Sequence, residues 1–294
     1  MQIGLVLPTM PAGASAEGID AAAEAARTLG WASVWTTDHV LVEVADAGEY
    51  GEIFEAVVTL AYIAARMPGL RLGTSVLVVP QRNAVLLAKE LATLDVLSRG
   101  RLVAGVGGGW SEPEFANLGV AERFHVRGAY LDETIRLWRA LWGGATEFEG
   151  RFHRFAGTAF GPLPVQGAGL PIVIGGRSDP ALRRAGRLGD GYHSSSAGPA
   201  QIAARLPVID AAAADAGRPR PPVSCRVNVR FGGPAAPGSY LIRGDPEAML
   251  VELRAFEALG VAELVCAFGE TDPERVVQAM TRFDREVVAA FRGR

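Results

Sequence analysis

Residues 71–110 read RLGTSVLVVPQRNAVLLAKELATLDVLSRGRLVAGVGGGW, and this stretch decides the fold. Its first part, Leu72 to Val79, is a short apolar run rich in β-branched residues that stops at Pro80, the pattern of a buried strand. From Asn83 to Ser98 the apolar residues Val85, Leu86, Leu87, Leu91, Leu94 and Leu97 recur at helical spacing. Gly100 supplies a left-handed helix stop, and Arg99 is placed to meet the carbonyl end of the helix. Leu102 to Val106 is the next strand, and it runs straight into Gly107-Gly108-Gly109-Trp110. The stretch is one complete β-α-β unit. A glycine-rich loop at the carboxyl end of its second strand lets a flat or anionic ligand approach the backbone closely.

Outward from this unit the same alternation continues in both directions. Upstream lie strands at Gln2 to Leu7 and Ser33 to Thr36, helices at Ala16 to Leu29 and Ile53 to Met67, and a surface loop from Leu41 to Gly51. Downstream the repeat is interrupted between Ser111 and Gly169. Ser111-Glu112-Pro113-Glu114 resembles a helix start, Arg127 to Trp142 a long helix, and Phe148 to Phe152 a small hairpin. The alternation resumes with strands at Pro171 to Ile174, Gly191 to Ser194, Val223 to Phe231 and Ala262 to Ala267. Helices follow them from Asp179, from Pro199 to Ala216, from Asp245 to Leu259 and from Asp272 to Phe291, with a Gly- and Pro-rich loop at 232–238. Eight short apolar strands, each followed by a helix, predict an α/β fold: a (β/α)8 TIM barrel with an insertion after strand four, filling residues 1–294 as a single domain.

Composition narrows the function. A net charge of −3 with well-mixed signs points away from nucleic acid or a membrane surface as partner. The N-terminus has no basic region, its apolar run ends at Pro8, and no window approaches the roughly 18 apolar residues of a membrane helix. The expectation is a soluble, cytoplasmic protein acting on a small molecule, in which Cys225 and Cys266 are buried thiols. His39, His125, His153 and His193 are scattered without ligand spacing, so no metal site is expected.

The loops beyond the strand ends hold the candidate site residues. Asp38-His39 follows the second strand, where a His can exchange protons near neutral pH and the Asp could orient it or cap a helix; a His satisfying loop carbonyls is the alternative. Gly107-Gly108-Gly109-Trp110 fails the dinucleotide spacing and suits either a turn under a flat ring or a plain strand-end turn with Trp110 in the core. Gly175-Gly176-Arg177-Ser178 before a helix brings backbone N–H groups, the helix dipole, a guanidinium and a hydroxyl toward a phosphate. Ser194-Ser195-Ser196 could add hydroxyls. Glu112 and Glu114 read first as solvated helix-start acids, with a catalytic role as the alternative.

Taken together, these pieces resemble a known family. Gly4-Leu5-x-Leu7-Pro8, Ser33-Val34-Trp35-x-x-Asp38-His39, Leu72-Gly73-Thr74-x-Val76, Leu94-Asp95-x-Leu97-Ser98-Arg99-Gly100-Arg101, Gly105-x-Gly107-x-Gly109-Trp110, Pro171-x-x-x-Gly175-Gly176 and Ala185-x-x-x-Gly189-Asp190-Gly191-Tyr192 occur in the order found in the luciferase-like flavin and deazaflavin oxidoreductases, a TIM-barrel superfamily. The resemblance implies a non-proline cis peptide at Ser75-Val76 backing a tricyclic ring, with Gly107 to Trp110 flanking it. It implies that Gly176, Arg177 and Ser178 hold the cofactor phosphate, and that Asp38 and His39 lie beside the ring, with His39 in proton transfer.

Both coenzyme F420 and FMN serve the superfamily. The Asp38-His39 pair, the chain length and an arginine-rich composition whose one lysine is Lys89 favour F420, hence hydride transfer to or from an organic substrate. An FMN-dependent monooxygenase fed by a separate reductase, and a non-catalytic cofactor carrier, are the alternatives. Lacking a basic cluster for a second phosphate, the chain is not expected to oxidise sugar phosphates. A pocket walled by Trp35, Trp110, Tyr192 and the 232–238 loop would suit a fairly apolar substrate. Family members often pair through barrel helices, so a homodimer is expected.

Overall fold

The computed structural model describes residues 1–10, 14–232 and 240–293. Eight parallel strands close on themselves: β1 (Gln2–Val6), β2 (Ser33–Thr36), β3 (Arg71–Thr74), β5 (Leu102–Gly107), β8 (Ile172–Gly175), β9 (Gly191–Ser195), β10 (Val223–Phe231) and β12 (Val261–Ala267), the last pairing again with β1. The expected barrel is therefore observed. Its outer ring is built by α1 (Ala16–Thr28), α3 (Ala56–Arg66), α4 (Ala84–Ser98), α6 (Arg127–Trp142), α7 (Asp179–Leu188), α8 (Pro199–Asp215), α9 (Pro246–Ala258) and α10 (Pro273–Phe283). Between β5 and β8 the chain also inserts α5 (Glu112–Asn117) and a hairpin of β6 (Phe148–Glu149) and β7 (Arg154–Phe155). The turn of that hairpin is longer than the sequence suggests, because Glu133 of α6 accepts the N–H groups of Arg151, Phe152 and His153 and holds it open.

Several boundaries differ from the sequence reading for local reasons. The third strand is broken: β3 ends at Thr74, Ser75-Val76 is a non-proline cis peptide, and β4 (Leu77–Val78) resumes pairing with Val106 and Gly107. The left-handed turn closing α4 begins at Arg99 (φ 61°), one residue before Gly100 (φ 77°). Inside the 41–51 loop sits a one-turn helix, α2 (Ala47–Tyr50). The following helix starts at Ala56, not Ile53, because the Glu55 side chain accepts the Val58 N–H as its cap. A short strand not anticipated from sequence, β11 (Leu241–Gly244), runs beside Asn228–Phe231 of β10. The last helix passes through a π-turn at Asp284–Val288 before α11 (Ala289–Phe291). Residues 233–238 of the Gly- and Pro-rich loop lie outside the described residues.

Strand alternation divides the apolar residues into two layers. Ile3, Leu5, Val34, Leu72, Ala104, Ile172, Tyr192, Cys225 and Leu264 pack outward under the helices in one continuous core. Val6, Trp35, Val173 and Val265 fill the barrel interior. Trp35 fits there because Gly73 faces it: a Cβ at Gly73 would stand 2.3 Å from the indole. We therefore expect Gly73→Ala to destabilise the protein by about 1–3 kcal/mol, the usual effect of overpacking, read as a lowered denaturant midpoint at unchanged m. Both cysteines are free and buried, and burial pushes the Cys225 thiol up to about 12.

Candidate active site at the barrel mouth

The chain carries its chemistry beyond the carboxyl ends of the strands, where barrel loops converge. His39 follows β2 and is buried; its Nδ1 lies 3.0 Å from Glu114 Oε2. Glu114 sits in the first turn of α5, whose cap Ser111 accepts the Glu114 N–H, so the turn aims the carboxylate inward instead of toward water. The same carboxylate accepts the Val40 N–H at 2.7 Å and the Gln81 amide at 3.0 Å. Burial by itself would raise its pKa, but the His39, Val40 and Gln81 hydrogen bonds outweigh it and lower the value to about 2. An ionised Glu114 makes His39 Nδ1 the protonated nitrogen, which leaves Nε2 to exchange a proton. The sequence reading of Glu114 as a solvated acid is thus corrected. It holds for Glu112, which is exposed and lies 3.6 Å from His125.

Asp38 does not orient His39. Its carboxylate accepts the Val78 N–H at 2.8 Å and pairs with Arg82 at 2.5 Å, and Arg82 also meets Glu55 at 2.8 Å. Burial works against the Arg82 charge, yet the two carboxylates raise its pKa above the usual range. Asp38 therefore ties the end of β2 to the backbone after the cis peptide, a positioning duty.

Ser75, Val76, Gly107 and Gly175 meet at the centre of the mouth. A Cβ at Gly107 or Gly175 would come within 2.8 Å of the Val76 side chain, so both glycines leave room for the bulge in the third strand. Beneath it His193 stacks on Trp35 (4.6 Å between centroids, 5° between planes) and contacts Ser75 Oγ and Ser224 Oγ at 2.8 Å each. Burial, with Arg226 nearby, lowers the His193 pKa to about 3, so it packs as a neutral ring.

Gly108 and Gly109 are half-buried, and Trp110 is 57% exposed at the rim, not packed in the core. It forms an aromatic corner with His39 and with Tyr50 of α2, whose ring centroid is 4.3 Å from that of His39. Tyr50 escaped the sequence reading because its loop has no periodic pattern.

Tyr192 and Trp35 do not wall the pocket as expected. Tyr192 alternates to the outer face of β9 and donates its hydroxyl to Gly176 O at 2.9 Å, while Trp35 lies one layer below the mouth. Ser194 also faces outward, accepting from Arg205 at 2.7 Å, so it adds no hydroxyl to the mouth.

At the end of β8, Gly176 adopts φ 124° and Gly176, Arg177 and Ser178 are all exposed before α7. Ser178 is the N-cap residue, yet its side chain makes no capping bond, and Arg177 has no hydrogen bond or ion pair among the described residues. At the start of a ten-residue helix, an uncommitted cap hydroxyl and neighbouring guanidinium suit a phosphate oxyanion, although Pro180 has no N–H and the Ala181 N–H already donates to Ser178 O. No cluster of three His, Cys, Asp or Glu able to hold a metal occurs among the described residues, and none of their helices is long and apolar enough to cross a membrane.

The closed barrel, the cis peptide between its third-strand segments and the exposed Gly176-Arg177-Ser178 turn after β8 form a luciferase-like oxidoreductase fold. A family model described as luciferase-like monooxygenase matches residues 1–263, and the chain belongs to that family. Within it, the chain is 32% identical over 208 residues to an F420-dependent glucose-6-phosphate dehydrogenase of Nocardia farcinica (69% of this chain, 59% of the relative). It is 31% identical over 212 residues to the enzyme of the same description from Mycolicibacterium smegmatis (69% and 60%). The match thus spans about 60% of the length of these relatives. Among solved structures, an F420-dependent secondary alcohol dehydrogenase in complex with an F420-acetone adduct superposes with TM-score 0.80 at 18% identity, covering 98% of both chains. The coenzyme F420-dependent tetrahydromethanopterin reductase of Methanopyrus kandleri gives TM-score 0.80 at 18% identity over 99% of both chains. At these identities the structural matches speak for the fold.

Proposed function

We propose that this protein is an F420-dependent oxidoreductase that passes a hydride between the deazaflavin and a small organic substrate, with His39 exchanging the accompanying proton. The observation that carries the reading is the buried His39–Glu114 pair, which fixes one ring nitrogen and leaves the other to exchange a proton. F420 is favoured over FMN by the sequence relatives, which are F420-dependent dehydrogenases. Bound at the mouth, F420 supplies the hydride through its C5 carbon and forms no oxygen adduct. In this reading Val76 and Gly107 to Trp110 hold the ring, and Gly176, Arg177 and Ser178 hold the phosphate.

The chain's own contribution is position, exclusion of water and one proton. Glu114 keeps His39 Nδ1–H engaged, so that Nε2 gives or takes the proton at the substrate heteroatom or carbon. Asp38 and Arg82 keep the end of β2 in register with the bulge. Lys89 lies on the outer helix α4 over Phe160 and bonds Gly161 O, away from the mouth, so it offers no second phosphate anchor for a sugar phosphate. The reading includes a cytoplasmic homodimer, for which the packed pair α3 and α4 offers exposed Val58, Leu86 and Leu97; sedimentation equilibrium tests it.

Removing the anion donors has a direct consequence. Arg177→Ala combined with Ser178→Ala is expected to weaken F420 binding at least tenfold, consistent with charge-assisted hydrogen bonds of about 1.5–3 kcal/mol each, while leaving the melting temperature unchanged. Fluorescence titration measures it; unchanged affinity would move the phosphate elsewhere. The activity itself is tested by stopped-flow mixing of protein and reduced F420 with enones, imines and ketones, and of oxidised F420 with alcohols. Substrate-dependent oxidation or reduction of F420 supports the reading, and none across the panel in the presence of bound F420 contradicts it.

A further inference from the structure

Arg226 is an interior-facing residue of β10 near the top of the barrel, between Ser224 and Asn228 on the same face. Its guanidinium reaches across the mouth. Nη1 donates to Thr37 Oγ1 at 2.8 Å and lies 3.5 Å from Ser75 O, and Nη2 faces the Met10 thioether at 3.4 Å. A thioether is a weak acceptor, and the guanidinium has five N–H groups. No carboxylate lies within ion-pair distance of Arg226 among the described residues; Glu49 and Tyr50 act on it only through space. Among the other arginines named at the mouth, Arg82 is neutralised by Asp38 and Glu55, Arg127 donates to Phe124 O, and Arg177 stands in the turn after β8.

A partly buried guanidinium without an anion is costly unless something supplies one, because desolvation disfavours an unpaired charge. Its surroundings say what that anion serves. Thr37, its main partner, stands two residues before His39, so a group held at Arg226 lies on the proton-exchanging side of the mouth. The turn proposed for the cofactor phosphate is at the end of β8, two strands away around the barrel. The planar fork of a guanidinium matches the bidentate geometry of a carboxylate.

We propose that Arg226 is a substrate-anchoring residue and that the substrate carries a carboxylate, bound at Arg226 with its reacting carbon toward His39. This deepens the oxidoreductase reading and rests on it for the statement that the ligand is substrate. Benzoate and the isosteric neutral benzamide are the probes, titrated by calorimetry into the protein saturated with F420 and into the protein alone.

Benzoate is expected to bind at least tenfold more tightly than benzamide, and Arg226→Gln to remove that preference while F420 affinity changes less than threefold. Arg226→Lys, which keeps the charge but loses the fork, is expected to restore part of it. Equal binding of the two probes to the wild-type protein overturns the proposal without recourse to any variant, so a misfolded Arg226→Gln protein does not shield it. A loss of F420 affinity of tenfold or more in Arg226→Gln, with benzoate selectivity at saturating F420 intact, also overturns it, because the arginine then serves the cofactor. If the wild-type protein binds no F420, the oxidoreductase reading fails separately, and the titration of the protein alone still decides whether Arg226 holds a carboxylate.

Discussion

His39→Ala is expected to lower kcat by roughly 10²–10³-fold, with F420 affinity within about threefold of wild type. The size follows from what the residue can do. A positioned acid–base group contributes on the order of 10²–10⁴ in rate, and hydride transfer can still proceed slowly with water as proton source. The ring is buried between Glu114, Tyr50 and Trp110, so alanine also leaves Glu114 without its ring donor. His39→Gln is the companion variant, since its amide N–H can still face Glu114 but cannot exchange a proton. A kcat drop in both variants, measured from about pH 5 to pH 9 with a confirmed substrate, identifies proton transfer as the lost step. Unchanged turnover across that range would remove His39 from the chemistry.

Replacing Glu114 by Gln has the second largest expected effect, a fall in kcat of roughly 10–10²-fold. The carboxylate accepts three donors, from His39, Val40 and Gln81, whereas an amide presents one acceptor oxygen and an NH₂ that must face one of those donors. His39 can then turn its proton to Nε2, the tautomer that blocks proton uptake there. The KM is expected to change little, which separates a positioning role from a binding one.

The pH dependence of folding gives an independent readout. The Glu114 pKa is depressed from 4.5 to about 2, so its ionised form stabilises the native state fully above 4.5, and that contribution is lost as pH falls through about 2. The stability difference between wild type and Glu114→Gln should therefore be constant near neutrality and shrink between about pH 4.5 and 2, as followed by denaturant titration. A difference that persists undiminished at pH 2 would show that Glu114 is not held as a carboxylate.

The repeat of strand and helix was legible because buried parallel strands are short apolar runs bounded by Gly and Pro, and because caps such as Asn83, Ser111 and Asp245 announce their helices. That the Gly176-Arg177-Ser178 turn and His39 lie at strand ends was legible for the same reason, since a barrel sends its strand-end residues to one mouth. Tertiary partners were not. Whether Glu114 is solvated or buried depends on where α5 docks after the insertion, and its sequence neighbours Glu112 and Pro113 say nothing of that. Tyr192, His193 and Ser194 are consecutive, and only the phase of β9 sends His193 inward and the other two outward. Arg226 could have been assigned inward from the alternation Val223, Cys225, Val227, Val229 of apolar residues along β10. Tyr50 could not, because the loop carrying it has no period.

The measurement that tests the central claim most directly is an equilibrium titration of the protein with oxidised F420 and, separately, with FMN, followed by fluorescence. Binding of F420 at micromolar concentration or below, with FMN at least tenfold weaker, is the result required by a mouth that serves hydride transfer through a deazaflavin. Micromolar FMN binding with no F420 binding would contradict it.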